Sequence, residues 1–341
     1  MRTVPMTVIP TAAFLFALPL AAHHSYAPYD LERTVTLDGV VTKFLWANPH
    51  VYIDVQAEDD GNGTLTWTVE SLSPVNMRNF GWSASSLAAG DRVTVTVHPA
   101  RDPERKIAFG QSVLKTDGTL LSMPNLRDRT PRTADPTTVF VAADLSGKWQ
   151  VRWDLGVVSQ FIPPLALSLT DKGAAAVERF DANLDIPGRD CMPFTVPYIM
   201  LFAGLVNIEL GEDVTVIRAA EVARTVHMKL DTHDGAPFDG QGHSIGRWEN
   251  GALIVDTTGF TDHRSGNAWG LPSGSQKHLI ERFALSADRT RLDYTFTLED
   301  PEYLAAPVTA TLMLTHRPDL PFVTMPCDLE SARRYLEFIE Q

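Results

Sequence analysis

The residues best suited to do chemistry gather in one stretch of the second half of the chain. Gly242-His243-Ser244-Ile245-Gly246-Arg247-Trp248-Glu249 is followed closely by Ala252-Leu253-Ile254-Val255-Asp256-Thr257-Thr258-Gly259-Phe260, with His278 and Glu281 further on. His243 and His278 supply imidazoles that titrate near neutral pH, and Asp256 or Glu281 would orient and bias them. Arg247 would bind a carboxylate or polarise a carbonyl oxygen; its other reading is a surface ion pair with Glu249. If the segment at 278 is a strand, His278 shares a face with Ile280, and Leu279 shares the other with Glu281. His278 and Glu281 then point apart unless a bulge intervenes.

His233, Asp234, Asp239 and His243 fall in one glycine-rich loop that leads into this stretch. Imidazoles and carboxylates at that density can ligate zinc, iron or copper. No spacing among them repeats a known metal signature, and the other reading is a solvated turn whose Asp side chains cap backbone N–H groups. Trp248, Phe260, Trp269 and Phe283 would either wall an apolar pocket or fill the core. Residues 261–277 form a long connection holding His263 and Asn267, which predicts a ligand-contacting lid over a barrel mouth.

Short strands have to position these groups. From residue 35 to about 121 the chain alternates with a period of two and breaks at turn residues such as Asp59-Asp60-Gly61-Asn62-Gly63 and Gly90-Asp91. Five or six strands and one helical stretch within 73–87 predict a small OB-like barrel, with a plain sandwich as the alternative. A proline-containing linker, 122–143, follows. Residues 144–341 begin with a Gly147-Lys148-Trp149 start like that of lipocalin barrels. Short strands then recur near 214, 225, 245–257, 278, 292 and 309. Glu249-Asn250-Gly251 predicts a type I′ hairpin. The expected fold is all-β: an OB-like barrel over 23–121, then a lipocalin-like antiparallel barrel, with a short C-terminal helix packed outside it.

Composition bounds the setting. The 341 residues are 44% hydrophobic and 21% charged, with a formal net charge of −13. That sign disfavours phosphate backbones, so nucleic acid is not an expected partner. Arg2, the apolar residues 8–20 and Leu20-Ala21-Ala22 have the layout of a signal peptide over 1–22, which predicts a periplasmic or secreted protein. The run is too short to span a bilayer comfortably, and no later segment predicts a span. Cleavage after Ala22 exposes His23 beside His24, and with His50 or His98 these would hold copper through the free amine; cleavage after Ala27 would remove that site. Cys191 and Cys327 either pair in an oxidising compartment or stay apart as buried thiols. No nucleophile elbow, phosphate loop or dinucleotide fingerprint is present.

Both halves resemble uncharacterised families of exported proteobacterial proteins. The first half is similar to one through His23-His24-Ser25-Tyr26, Trp46-Ala47-Asn48-Pro49-His50 and Leu87-Ala88-Ala89-Gly90-Asp91. The second half is similar to another through the His243–Glu249 and 256–260 segments, Glu281-Arg282-Phe283 and Glu299-Asp300-Pro301. In that second family the segment at His278 reads histidine, two residues, glutamate. The resemblance carries no activity.

These readings lead to an exported protein whose C-terminal barrel binds a small, largely apolar ligand. The expected chemistry is cofactor-free acid/base catalysis of the lyase, isomerase or hydratase type. His243 and His278 serve as acid and base, with Arg247 and Asp256 beside them and Trp248, Phe260, His263, Asn267, Trp269 and Glu281 around the ligand. The competing reading is a non-catalytic periplasmic binder, holding copper through His23, His24 and His50 or zinc at the glycine-rich loop. Oligomeric state is left open by the sequence.

Overall fold

β-branched residues at alternate positions put one face of each early strand into a core, and five of those strands close on themselves. The computed structural model describes residues 28–58, 63–78, 80–123, 138–151, 167–181, 184–202, 204–324, 326–334 and 336. The expected signal segment, His23, His24 and most of the expected linker lie outside these. Strands β1 (Val35–Leu45), β2 (Tyr52–Glu58) and β3 (Thr64–Glu70) form a meander, and α1 (Pro74–Arg78) precedes β4 (Arg92–Pro99), β5 (Ile107–Lys115) and β6 (Leu120–Ser122). β4 pairs with β1, and β3 meets β5 in parallel, which closes the barrel in the OB order. A register shift between Val41 and Lys43 lets the long β1 bend between its two neighbours. Val41, Ile53, Val55, Val69, Val95, Val97 and Val113 fill the centre, with Met77 of α1 buried against them.

The second barrel is a sequential meander: β7 (Gly147–Val151), β8 (Leu205–Glu209), β9 (Val214–Ala219), β10 (Val222–His227), β11 (His243–Glu249) and β12 (Ala252–Thr258). A small hairpin, β13 (His263–Ala268) and β14 (Leu271–Ser273), interrupts it before β15 (His278–Leu285), β16 (Arg291–Glu299) and β17 (Val308–His316). Nine strands, each beside its neighbour in sequence, close with β17 against β7. An odd number cannot alternate in direction all the way round, so one adjacent pair must be parallel. That pair is β10 with β11; the other eight pairings are antiparallel. The expected lipocalin-like meander is thus present with one strand more than an even ring. At the hairpin, Asn250 and Gly251 both have positive φ (48° and 79°), as a type I′ turn requires.

The lumen is packed. Trp149 is fully buried and donates its Nε1–H to Leu145 O at 2.9 Å, while Phe283, Tyr294, Phe296, Leu253, Val255, Leu279 and Leu312 fill the space above it. Within this apolar filling lies an ion pair. Arg224 Nη1 and Nη2 reach Glu281 Oε2 and Oε1 at 2.5 and 3.1 Å, and Tyr294 Oη donates to Glu281 Oε1 at 2.7 Å. Both charged side chains are almost wholly buried, at 2% and 0% exposure. Paired, they tolerate the low dielectric; either one alone would be an uncompensated charge.

One barrel end is sealed by the β13–β14 hairpin and by α3 (Tyr198–Phe202). Residues 261–277 are therefore a buried hairpin rather than the expected lid. Lys277, 1% exposed, locks it: Nζ donates to Thr195 Oγ1 (2.8 Å) and Gly266 O (2.7 Å) and sits 4.6 Å from the centre of the Phe260 ring. Burial pulls the Lys277 pKa down to about 7. Gly266 cannot carry a side chain, since a Cβ would lie 2.0 Å from Ser273 Oγ.

Helix α2 (Asp171–Arg179) is N-capped by Thr170, whose side chain accepts from Gly173 N. The expected short C-terminal helix, α4 (Leu329–Arg333), is present and docks on the first barrel. Asp328 N donates to Asn48 O at 3.0 Å, and the disulfide Cys191–Cys327 ties the same segment to the 3-10 turn Pro187–Asp190. Among the described residues no helix is long and apolar enough to cross a membrane.

Removing one partner of the lumenal ion pair should be costly. Glu281→Ala is expected to lose about 3–5 kcal/mol in denaturant unfolding, whereas Arg224→Met with Glu281→Leu should lose far less or gain. Equal losses in the two variants would show that packing, and not the stranded charge, dominates there.

Candidate functional site

The parallel pair decides where the histidines go. Strands running the same way cannot be joined by a tight turn, so residues 228–242 must double back between β10 and β11. They do so over the outer wall of the barrel. Asp239 N donates to Gly259 O (2.9 Å), Thr261 N donates to Asp239 O (3.0 Å), and Asp239 bridges Phe260. This lays His233 on the outward-facing side chains of β11 and β12.

A chain of imidazoles and carboxylates results. His243 Nδ1 and His233 Nδ1 are 2.8 Å apart, and His233 Nε2 is 3.4 Å from Asp256 Oδ1. His278 Nε2 reaches the same Asp256 oxygen at 3.0 Å, and its Nδ1 lies 3.8 Å from Glu299 Oε2. The His227 ring stacks on His243 with centroids 5.0 Å apart. An open cleft of about 330 Å³ borders the His243 end, lined by Lys229, Leu230, Asp231, Thr232, Asp234, Gly235, Ala236 and His243.

Hydrogen bonding fixes a consistent proton arrangement. An ionised Asp256 can only accept, so His278 Nε2, which is hydrogen-bonded to it, carries the proton between them, while His233 Nε2 stands within ion-pair range of the same oxygen. His233 Nδ1 and His243 Nδ1 share one hydrogen bond, and we take His243 as its donor. His243 Nε2 is left with its lone pair. The Asp256–His233–His243 series follows the logic of a base oriented by a third group.

The electrostatics push the two end histidines apart. The Asp256 hydrogen bond raises the His278 pKa, with the Asp256 and Glu299 charges adding to it. Burial lowers the His243 pKa, and the neighbouring His227 and His233 lower it further. Asp256 is itself held below the usual carboxylate value by the His278 hydrogen bond. Such a divergence separates an acid from a base at one pH.

The other expected site residues are placed elsewhere. Glu281 faces the lumen in the Arg224 pair, and β15 runs between β12 and β16 without a register shift, so His278 faces outward as the alternation required. Arg247 is half exposed and pairs with Glu249 on the surface at 2.5 Å, which removes it from any pocket. Trp248 is 51% exposed at the hairpin end, while Phe260 and Phe283 are core. Trp269 packs edge-on against Phe180, 6.0 Å away.

His263 uses both nitrogens internally: Nδ1 accepts from Ser265 N at 3.0 Å and Nε2 donates to Pro193 O at 3.1 Å. Burial, with the Lys277 charge beside it, drops its pKa to about 4. Asn267 Nδ2 donates to the buried Asp300 at 2.7 Å. Both are structural. Asp239 caps its own turn, its Oδ1 accepting from Gln241 N at 2.8 Å.

As for metals, among the described residues no three His, Cys, Asp or Glu side chains have the spacing to hold an ion. His50 Nδ1 is engaged by Glu70, and His98 Nδ1 contacts Arg33 O at 2.9 Å. In both rings it is Nδ1 that has this protein partner, and His23 and His24 of the expected copper set lie outside the described residues. His227, Glu299 and Arg224 escaped sequence reasoning. For Arg224 a signal existed, since it shares the apolar register of Val222 and Val226. For His227 the parallel register had to be known first.

Comparison with known proteins reaches the first half alone. Residues 13–108 match the model of a family of unknown function, DUF6152. The matched stretch ends at the start of β5 and leaves the second barrel outside. Among curated proteins and solved structures, nothing matches the chain.

The shifts have a testable sign. His278 binds its proton more tightly folded than unfolded, so it stabilises the fold below the ordinary histidine pKa and that contribution fades as pH rises through the raised value. His243 contributes in full above the ordinary value, and its contribution falls as pH drops through the lowered one. Ring-proton NMR titration should place His278 above 6.5 and His243 below it. Asp256→Asn should bring His278 down; an unmoved His278 would reject Asp256 as the cause.

Proposed function

We propose that the protein is an exported small-molecule-binding protein that performs cofactor-free proton transfer at the outer-wall cleft of its second barrel. The reaction type is that of a lyase, isomerase or hydratase. His243 Nε2 is the base. As it takes a proton from the ligand, the positive charge stays on the His243 ring, which His233 contacts on its Nδ1 side with Asp256 behind, and His278, whose proton the same carboxylate binds more tightly, is the acid at the other end of the series. The observation that carries this reading is the unbroken His243–His233–Asp256–His278 contact series ending at an open cleft. The Cys191–Cys327 disulfide supports export, because such bonds persist in oxidising compartments.

The cleft changes the expected ligand. Lys229, Asp231, Thr232 and Asp234 line it with polar groups, and Leu230 and Ala236 supply the apolar part. A small ligand with one ionic or hydrogen-bonding group and a short hydrocarbon portion fits these walls better than the largely apolar one expected for the lumen. Lys229 already holds Glu212 and Asp213, so a bound anion would have to compete for it.

Thermal-shift screening of a library of small carboxylic acids, ketones and alcohols tests the reading. A ligand at a hundred times its Kd stabilises the protein by about 2.7 kcal/mol. His243→Ala and His233→Ala should abolish the response, while Arg247→Ala and Trp248→Ala should keep it. Responses that survive loss of both histidines would rule the cleft out.

A further inference from the structure

The C-terminal segment lies on a face that the first barrel's topology marks as a binding surface. OB barrels take oligonucleotides and oligosaccharides on the face of β2 and β3 and on the β1–β2 loop, and here a segment of the chain itself lies on that face. Here that loop is 46–51, and residues 326–334 cover it. Cys327 bridges Asn48, Asp328 N donates to Asn48 O, and Ser331 Oγ donates to His50 O at 2.7 Å. On the strands, Arg334 Nη2 reaches both Asp54 oxygens (2.7 and 2.5 Å), its guanidinium lying 5.4 Å from the centre of the Tyr52 ring. Glu330 pairs with Lys43 of β1. Ser331 and Ala332, between these two charges, are buried at 1% and 2% exposure.

The segment therefore meets the barrel as a peptide ligand would. It offers a small buried pair, an acid one helical turn before an arginine, and main-chain contacts to a loop. The barrel answers with Lys43, Asp54 and Tyr52. The disulfide to Cys191 fastens this segment at its start, and Arg333 bonds Asp190 beside that cysteine at 2.9 Å. A tether of this kind holds its ligand at an effective concentration on the order of millimolar, enough to exclude weaker competitors.

We propose that the outer face of β1–β3 is a docking surface for a peptide segment carrying Glu and Arg four residues apart around a small buried pair, and that the chain's own residues 326–334 occupy it while Cys191–Cys327 is closed. Opening the disulfide takes an external dithiol. One thiolate attacks a cysteine sulfur and forms a mixed disulfide; the second thiol resolves it. The dithiol leaves as a disulfide, and Cys191 and Cys327 are left as thiols. The segment then keeps its main-chain connection to β17 but loses the second anchor at Cys191, so its hold on the loop weakens and a competing peptide can displace it.

The test uses the full chain and a fluorescent peptide of residues 326–336 with Ser in place of Cys327. Oxidised wild type should bind it at least about tenfold more weakly than the double variant Cys191→Ser, Cys327→Ser. Adding Arg334→Ala to the double variant, which loosens the tail in cis, should tighten binding further, and Asp54→Asn should abolish it. Hydrogen exchange over 46–54 should rise in the double variant and be suppressed again by peptide. Equal exchange in wild type and double variant with no peptide binding would make the segment a structural staple and overturn the proposal. If the double variant destabilises the fold, Arg334→Ala in the oxidised chain answers alone: it must raise peptide binding above wild type, and failure to do so counts against the docking surface. A double variant that dimerises would assign the face to a second copy and likewise overturn it.

Discussion

An odd number of strands in a closed sequential meander forces one parallel neighbour pair, and much of the second barrel's chemistry follows from where that pair falls. It lies between β10 and β11, so the connection between them cannot be a tight hairpin. Residues 228–242 instead fold back across the barrel's outer wall, anchored by Asp239 to the end of β12. His233 rides on that connection. Without it, His243 and Asp256 would be unconnected polar residues on neighbouring strands. With it, they belong to one series of polar contacts that continues to His278.

The lumen is organised by the opposite rule. Alternation directs Leu, Val and aromatic side chains inward from every strand, and the two charges among them pair off as Arg224 and Glu281, with the Tyr294 hydroxyl completing the carboxylate's partners. Such a pair contributes little net stability over an apolar substitute and instead penalises its own disruption. Lys277 plays a comparable part at the sealed end, where its three protons are met by a threonine oxygen, a glycine carbonyl and the Phe260 ring. Together these groups fill the barrel and leave the outer wall as the place where ionisable side chains remain accessible.

Much of the fold was legible in the sequence because it rests on local rules. Period-two runs marked most of the strands, Asn250-Gly251 marked the hairpin, and Gly147-Lys148-Trp149 marked the start of the second barrel. The alternation at 278–281 alone separated His278 from Glu281. Other features depended on distance in space. β8 is a short Leu-Val-Asn-Ile-Glu run without a strong turn signal, and residues 261–277 read as a polar lid because their serines and glycines are buried by partners far away in sequence. His233 and His243 were singled out, yet the inward or outward sense of the cluster depended on the direction of one strand. Arg247 shares the outward face of β11 with His243 but lies four residues on, where it pairs with Glu249, and Trp248 lies at the hairpin end, where it reaches solvent.

The central claim is that the reactive groups lie outside a filled barrel. Solvent paramagnetic relaxation measures this directly, with a soluble gadolinium chelate added to protein carrying labelled aromatic and histidine rings. The His227, His233, His243 and His278 rings should relax well above the rings of Trp149, Phe283, Tyr294 and Phe296, which should stay near the slowest rates in the protein. Strong relaxation of Tyr294 and Phe296, with the four histidine rings protected, would mean an open lumen and would contradict the account.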